Sequence, residues 1–94
     1  MKLRITRSFS QKLNKQIEYI AKDKPQAAKK LKSEILKEIK DASEMPFGCR
    51  KSIFFERKDI RDLIIKGYVV VFKVDKERDL MEIFGFTKWE DDPF

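Results

Sequence analysis

The stretch that decides the fold is residues 60–89, which read IRDLIIKGYVVVFKVDKERDLMEIFGFTKW. β-Branched and aromatic residues dominate it, and the apolar runs break at Lys66-Gly67 and at residues 75–79. This pattern predicts three successive strands, the first two joined by a tight hairpin in which Gly67 tolerates a positive φ. The nearly continuous apolar run from Tyr68 to Val74 is typical of a central strand covered on at least part of both faces.

The N-terminal residues predict a short strand followed by a helix. Leu3 and Ile5 alternate with basic and polar residues, so one apolar face can join the sheet before the strand ends at Arg7. Ser8 and Gln11 have the spacing of a capping box, in which the Ser8 hydroxyl satisfies a free amide of the first turn. The apolar residues that follow at helical spacing predict a first helix from about residue 9 to residue 22; they are Phe9, Leu13, Ile17 and Ile20.

A second helix is predicted from Pro25, because proline suits the first helical position and the residue before it disfavours the α conformation. Lysines cover one face of this helix, and the other carries Ala28, Leu31, Ile35, Ile39 and Ala42. Two amphipathic helices joined by so short a turn form an antiparallel hairpin that needs a covering surface. We therefore predict an α+β fold, in which an N-terminal strand and an antiparallel α-hairpin accompany a mainly antiparallel sheet of about four strands.

The connection between the helices and the sheet shows less pattern. Pro46 and Gly48 mark a loop, in which we interpret Met45 and Phe47 as anchors tucked under the helices. Residues 50–58 are either a short extended segment or a turn at the sheet edge. Residues 90–94, EDDPF, are expected to form a loose acidic tail.

The size and charge of the chain restrict its class. At 94 residues it is expected to be one domain spanning residues 1–94. Its 22 Lys and Arg against 16 Asp and Glu give +6, distributed as +5 over residues 1–24, +4 over residues 25–67 and −3 over residues 68–94. Such a balance favours an anionic partner, either nucleic acid or an acidic protein segment. The alternative is an ordinary solvated basic surface.

The single cysteine and the lack of long apolar runs bear on compartment. Cys49 cannot form an internal disulfide, which suits a reducing cytoplasm. No segment approaches the roughly 20 apolar residues of a membrane span, and no signal peptide is recognisable. We expect a cytoplasmic protein with no membrane partner.

The residue types present exclude several kinds of chemistry. The chain has no histidine, which removes the commonest general base, the triads that depend on it and the commonest transition-metal ligand. With one cysteine a structural zinc site is excluded, and three scattered glycines make no phosphate-binding loop. No metal and no cofactor are expected, and any catalysis has to use Lys, Arg, Tyr, Asp or Glu.

Basic and aromatic residues around the predicted sheet are candidates for contacting a nucleic acid or another target. Tyr68 is equally well explained as a core aromatic with its hydroxyl at the surface, and Trp89 is better explained as a lid on the edge of the core. The candidates are Arg50, Lys51, Arg61, Lys66, Tyr68, Lys73, Lys88 and Trp89, with Arg57 and Lys58 nearby.

The predicted order of elements, together with two stretches of sequence, is similar to that of a known family. The chain begins with a short basic strand, a helical hairpin whose second helix starts at Pro25, and a Pro/Gly loop. The run from Arg61 to Val74 follows, and residues 81–86, MEIFGF, form the last strand. Over about the whole chain this resembles the RelE/ParE toxin superfamily of bacterial type II toxin-antitoxin modules, which includes plasmid stabilisation proteins. The shared motif is an Arg followed by an apolar strand, a turn, then a Tyr and a second apolar strand.

The resemblance implies a growth-inhibiting toxin that a cognate antitoxin neutralises by wrapping its C-terminal part across it. RelE-like members cut messenger RNA in the ribosomal decoding site, whereas ParE-like members poison DNA gyrase. RelE-like cleavers carry two lysines before the Gly-Tyr turn, an Arg after it and an Arg beyond the last strand. Aligned on Gly67-Tyr68, this chain has Ile60, Asp62 and Val69 at the first three positions and Lys88 near the fourth.

Three of the four positions therefore lack the cation that would stabilise the charge developing at a scissile phosphate. The favoured hypothesis is a ParE-like toxin that binds DNA gyrase. The alternatives are a ribosome-dependent endoribonuclease using Lys88 or Arg61, or else Lys66 or Lys73, and a non-toxic nucleic-acid-binding module. An acidic amphipathic antitoxin segment is expected to fill an apolar groove with a basic rim between the hairpin and the sheet.

Overall fold

The computed structural model describes residues 1–89, so the predicted acidic tail at residues 90–94 lies outside the described residues. Its elements in chain order are β1 (Lys2–Ile5), α1 (Arg7–Ala21), α2 (Pro25–Ala42), a 3₁₀ turn (Pro46–Gly48), β2 (Arg50–Lys51), β3 (Ile60–Ile65), β4 (Tyr68–Asp75) and β5 (Leu80–Lys88).

The strands of residues 1–89 form one sheet in the order β1-β5-β4-β3-β2. β4 lies in the middle and pairs antiparallel with β3 and β5, as the apolar run from Tyr68 predicted. β1 is parallel to β5, with Lys2 opposite Leu80 and Ile5 opposite Ile83. The predicted α+β class is confirmed, and the strand beyond the expected four is β2, from the segment whose structure the sequence left open.

The β3–β4 hairpin closes where the sequence predicted. Ile65 lies opposite Tyr68, and the two residues between them have positive φ angles, 47° at Lys66 and 84° at Gly67. Such a two-residue turn matches the twist of the strands it joins. It therefore sets the β3–β4 register.

A bulge interrupts the pairing of β4 with β5. Val71 lies opposite Gly85, but the next residue, Phe72, lies opposite Ile83, which leaves Phe84 as the extra residue. A Cβ atom at Gly85 would lie 2.9 Å from the Cβ of Val71, closer than side-chain atoms pack. A glycine is therefore needed there, and the bulge places Phe84 and Phe86 on opposite faces of the sheet.

Helix α1 begins earlier than predicted, and the predicted capping box at Ser8 is wrong. The N-cap is Thr6, whose hydroxyl accepts a hydrogen bond from the Phe9 amide at 3.2 Å. The Thr6 amide itself donates to the Ile83 carbonyl at 3.0 Å, so pairing with β5 ends there and the helix follows at once. Helix α2 begins at Pro25, as predicted.

The helices cover one face of the sheet and form the main core with it. Phe9, Leu13, Ile35 and Ile39 supply the helical side chains of this core, and the Phe9 ring meets Phe86 edge to face at 5.8 Å. The strand side of this core consists of Ile65, Tyr68, Val70, Phe72, Val74, Met81, Ile83 and Phe86. Neither described helix is both long and apolar enough to cross a membrane.

The prediction that Met45 and Phe47 anchor the loop under the helices is wrong. Met45 is 74% exposed and Phe47 is 40% exposed. The 3₁₀ turn carries the chain away from α2 towards β2, so the Phe47 ring instead contacts two cations, Arg61 and Lys76, each 4.8 Å from the ring centroid.

Candidate functional site

Three of the four positions at which the resemblance places cleavage cations, Ile60, Asp62 and Val69, lie together on the sheet face turned away from the helices, which we call the outer face. Ile60 and Val69 are buried there at 4% and 0% exposure and form a second hydrophobic cluster with Val71. Phe84 and Trp89 pack against the cluster. Apolar packing therefore occupies the place where a nuclease would need positive charge.

Asp62, at another of these positions, is an anchor within the same face. Its side chain is fully buried, and Oδ2 accepts hydrogen bonds from Arg50 Nη2 at 3.2 Å and from the Ile53 amide at 3.1 Å. Arg50 lies directly opposite Asp62 in the β2–β3 ladder. The carboxylate thus joins β2 and the start of the next loop to β3, and leaves Arg50 partly committed to a structural ion pair.

Trp89 closes this end of the outer face, as a lid on the core edge. Its amide donates to the Gly67 carbonyl at 2.6 Å, and the guanidinium carbon of Arg50 lies 5.2 Å from its ring centroid. Arg50 therefore contacts Trp89 and Asp62 at once, and the structure brings together three residues that the sequence treated separately.

The loop after β2 presents aromatic side chains beside the outer face. The Phe55 ring meets Phe84 at 5.7 Å with an interplanar angle of 71°, and the Phe54 amide donates to the Ser52 hydroxyl at 3.2 Å. Phe54 and Phe55 are nevertheless 38% and 40% exposed. We call Phe54, Phe55 and Phe84 the aromatic patch. The sequence shows an apolar run at residues 53–55, which was the available signal for this patch. It does not show where on the sheet that run lies.

Tyr68 is a core aromatic whose hydroxyl reaches a polar partner. Its ring stacks on Phe86 at 5.2 Å with an interplanar angle of 13°, and its hydroxyl accepts a hydrogen bond from Gln16 Nε2 at 3.0 Å. Because Lys88 lies opposite Tyr68 in the β4–β5 ladder, the structure brings these two candidate residues together.

Tyr68 and Lys88 line a cleft between α1 and the end of β5, with a volume of about 410 Å³, which we call the α1 cleft. Three further lining residues, Lys12, Lys15 and Tyr19, were not among the sequence candidates. They recur at helical spacing along one side of α1, next to its apolar stripe. This spacing was the feature of the sequence that could have identified them. The remaining lining residues are Gln16, Phe86 and Thr87.

Arg61 lies towards the other end of the sheet, and hydrogen bonds to backbone carbonyls fix its guanidinium group. Its Nε donates to the Lys58 carbonyl at 2.9 Å and its Nη1 to the Cys49 carbonyl at 3.1 Å. Arg61 and Lys73 line a second surface cleft, together with acidic residues that include Asp59 and Asp75. Mixed charges make this a weaker anion site than the α1 cleft.

The remaining candidates are dispersed. Lys66 pairs with Glu34 at 2.7 Å and so links the hairpin to α2, and its hydrogen bond lowers the pKa of Glu34 below the ordinary value. Lys51 is exposed on β2. Arg57, on the loop, pairs with Asp59 at 2.6 Å, and that hydrogen bond lowers the Asp59 pKa.

Two features bear on reactivity. Burial raises the pKa of the Cys49 thiol, which opposes formation of a nucleophilic thiolate.

Within residues 1–89, no group of three or more acidic or cysteine side chains is arranged to hold a metal ion.

A comparison with protein families gives a match over nearly the whole chain. The model described as "ParE toxin of type II toxin-antitoxin system, parDE" matches residues 3–93. No curated protein matches the chain significantly. The family match begins within β1 and extends past β5, so it includes both helices, the bulge and both clefts described above.

Proposed function

The chain belongs to the family of ParE toxins of type II toxin-antitoxin systems, and on that premise we propose that it inhibits growth by binding DNA gyrase. We further propose that a cognate antitoxin holds it inactive. The family supports the general role, a toxin with an antitoxin partner. The choice of gyrase over the ribosome depends on the chemistry of the outer face.

The observation that carries this choice is the second hydrophobic cluster. Ile60 and Val69 are buried in it, so the outer face presents packed methyl groups where RNA cleavage would need lysine and arginine. Preorganised positive charge is usually the largest contribution to stabilising a phosphoryl transition state. The toxin activity of this chain is therefore better explained by binding than by cleavage.

The two weak catalytic candidates do not form a common site. Arg61 is opposite Phe72, whereas Lys88 is opposite Tyr68, four residues away along β4. At about 3.3 Å per residue, these positions are separated by at least about 13 Å along the sheet. Arg61 also donates two hydrogen bonds to backbone carbonyls. Nothing in this geometry favours the endoribonuclease over gyrase binding.

Two assays with the purified chain test the proposal. In the first, gyrase supercoils relaxed plasmid DNA in the presence of increasing toxin; we expect loss of supercoiling and accumulation of cleaved gyrase-DNA complexes. In the second, translating ribosomes are incubated with the toxin and the messenger is mapped for cuts. Messenger cut in the decoding site, with gyrase unaffected, would overturn the gyrase proposal in favour of the ribonuclease.

The antitoxin part of the proposal has its own test. Expression of the chain alone from a tightly repressed promoter should stop growth, and co-expression of the small open reading frame beside its gene should restore it. If the folded chain leaves growth unchanged at high expression, the toxin proposal fails irrespective of the target.

A further inference from the structure

The α1 cleft is lined by cations that no carboxylate offsets. Lys12, Lys15 and Lys88 lie around it, and neither Asp nor Glu is among the described residues that line it. None of these three lysines is in an ion pair with another residue of the described chain. In the cleft beside Arg61, by contrast, acidic residues such as Asp59 lie among the cations. The α1 cleft is therefore the better place for an anion.

The positive charge continues along α1 beyond the cleft. Lys12, Lys15 and Tyr19 recur at helical spacing, and Lys22 follows three residues later. Tyr19 also lines a neighbouring cleft, which Lys22 lines together with one acidic residue, Asp23. At 1.5 Å per residue, Lys12 and Lys22 are about 15 Å apart along the helix. The cations of this surface, which we call the basic stripe, are Lys12, Lys15, Lys22 and Lys88.

Uncharged hydrogen-bond donors lie between these cations. The Tyr68 hydroxyl accepts from Gln16 Nε2 at 3.0 Å, so its own O–H can donate to an anion. Thr87 lines the same cleft, and Tyr19 is 69% exposed beside it. Lys, Gln, Thr and Tyr are among the residue types with which proteins contact phosphate oxygens. The Tyr68 ring is stacked on Phe86, so a nucleic acid would meet its hydroxyl and not its face.

We propose that the basic stripe binds the phosphate backbone of duplex DNA without regard to sequence, and that in the complex with gyrase it holds the duplex on which gyrase acts. Duplex charges recur about every 1.7 Å of helix axis, so a row of cations about 15 Å long reaches several phosphates. The inference deepens the proposed function and rests on it for the role of the DNA in the gyrase complex. Binding of DNA by the toxin alone does not depend on it.

Charge density and burial favour DNA over an acidic protein segment at this surface. Even an extended chain with an acidic residue at every position carries one charge per about 3.3 Å, about half the density of a duplex. The aromatic floor of the cleft offers little area to apolar anchors, because Tyr68 and Phe86 are each 8% exposed. An acidic peptide is accordingly the competitor in the test.

The test measures binding of the full chain to a labelled duplex of about 20 base pairs by fluorescence anisotropy, from about 50 to 200 mM salt. We expect the logarithm of the association constant to fall linearly with the logarithm of salt concentration. The expected slope is about −3, because each phosphate contact contributes about −0.9. Duplexes of unrelated sequence should bind equally. Amide NMR should show the largest shifts in residues 12–22 and at Lys88.

Matched variants separate the basic stripe from the general charge of the protein. Lys12→Gln/Lys15→Gln should reduce the magnitude of the salt slope by about 2 and weaken binding at least about tenfold at low salt. Lys29→Gln/Lys40→Gln removes the same charge from two exposed positions of α2 and should leave the slope nearly unchanged. Thermal unfolding checks that both variants are folded. Equal losses in the two variants would overturn the assignment to the basic stripe.

Further arms test the class of ligand. Failure to bind any duplex at low salt would overturn the proposal. A glutamate homopolymer that displaces the duplex at equal charge concentration would assign the surface to an acidic protein segment instead. Single-stranded DNA of equal length that binds at least about tenfold more tightly would overturn the choice of a duplex.

The role in the gyrase complex has a separate readout. Lys12→Gln/Lys15→Gln should trap fewer cleaved gyrase-DNA complexes than Lys29→Gln/Lys40→Gln at the same toxin concentration, because it loses contacts to the DNA. Equal trapping by the two variants would overturn this role. If the wild-type chain does not affect gyrase at all, the proposed function fails, whereas the anisotropy measurements still decide whether the basic stripe binds DNA.

Discussion

Arg50 donates a hydrogen bond to the fully buried carboxylate of Asp62, with an Nη2 to Oδ2 distance of 3.2 Å. The relationship matters because Asp62 stands at a position where the resemblance to RNA-cleaving toxins implies a lysine. In this chain the carboxylate at that position joins β2 and the start of the next loop to β3.

Restoring a lysine at position 62 is expected to unfold the protein rather than activate it. Asp62→Lys would bury a cation beside Arg50, and breaking a buried ion pair costs about 3–5 kcal/mol of unfolding free energy. Asp62→Asn, which keeps the shape and one acceptor, should cost about 1–3 kcal/mol. Urea denaturation of the purified variants measures both. The control Asp59→Asn removes a more exposed partner of Arg57 and should cost less; equal losses at the two sites would contradict an anchoring role for Asp62.

Gly85→Ala tests the close approach at the bulge. The new Cβ would lie 2.9 Å from the Cβ of Val71, so we expect destabilisation by about 1–3 kcal/mol. Gly48→Ala is the control, because its nearest neighbour, the Cβ of Met45, would be at an ordinary 3.8 Å. Combining Gly85→Ala with Val71→Gly, which removes the opposing Cβ, should cost less than the sum of the single changes in a double-mutant cycle. Strict additivity would show that the Val71 contact is not the cause.

The ion pair between Lys66 and Glu34 predicts a pH-dependent contribution to stability. The Lys66 hydrogen bond lowers the folded-state pKa of Glu34 below its ordinary value of 4.5. A lowered acid pKa stabilises the folded state above the unfolded pKa, and that contribution is lost as pH falls through the folded pKa. Wild type should therefore exceed Glu34→Gln in urea midpoint at neutral pH, and the difference should shrink as pH falls below 4.5 and disappear below the lowered folded-state pKa. Added salt should shrink it. A difference that persists in acid would assign the effect to packing.

Tyr68 substitutions separate a core role from a target contact. Tyr68→Phe keeps the stack on Phe86 but loses the hydrogen bond from Gln16, which should cost about 0.5–1.5 kcal/mol. Tyr68→Ala also leaves a cavity and should cost about 3–5 kcal/mol. Chemical denaturation gives the stabilities, and gyrase inhibition at equal folded concentration gives the activity. Loss of inhibition in folded Tyr68→Phe would show that the hydroxyl contacts the target.

Local patterns predicted most of the secondary structure. The Lys66-Gly67 turn, the central strand from Tyr68 and the start of α2 at Pro25 were each predicted from a few neighbouring residues, because turn chemistry and side-chain period act over short distances. The start of α1 was wrong because Thr6, and not Ser8, is the last residue bonded to β5. That distinction depends on a neighbour about 77 residues away, outside the reach of a capping rule.

The candidate site was predicted less completely. Lys88 and Tyr68 were named from the sequence and do meet, but Lys12 and Lys15 came to them only through the packing of α1. Phe47 was placed under the helices on hydrophobicity alone, whereas its ring is held by cations from β3 and the β4–β5 turn.

By itself the sequence determined the strands, the helical hairpin, the basic character and the loss of cations at positions 60, 62 and 69. Only the tertiary structure decided what the residues at those positions do. The loop after β2 and the bulge at Gly85 set which side chains share a face, so Asp62 became an anchor and Val69 part of a second cluster. The physical reason is that residue type and period specify a local conformation, whereas burial and charge pairing depend on neighbours distant in the chain.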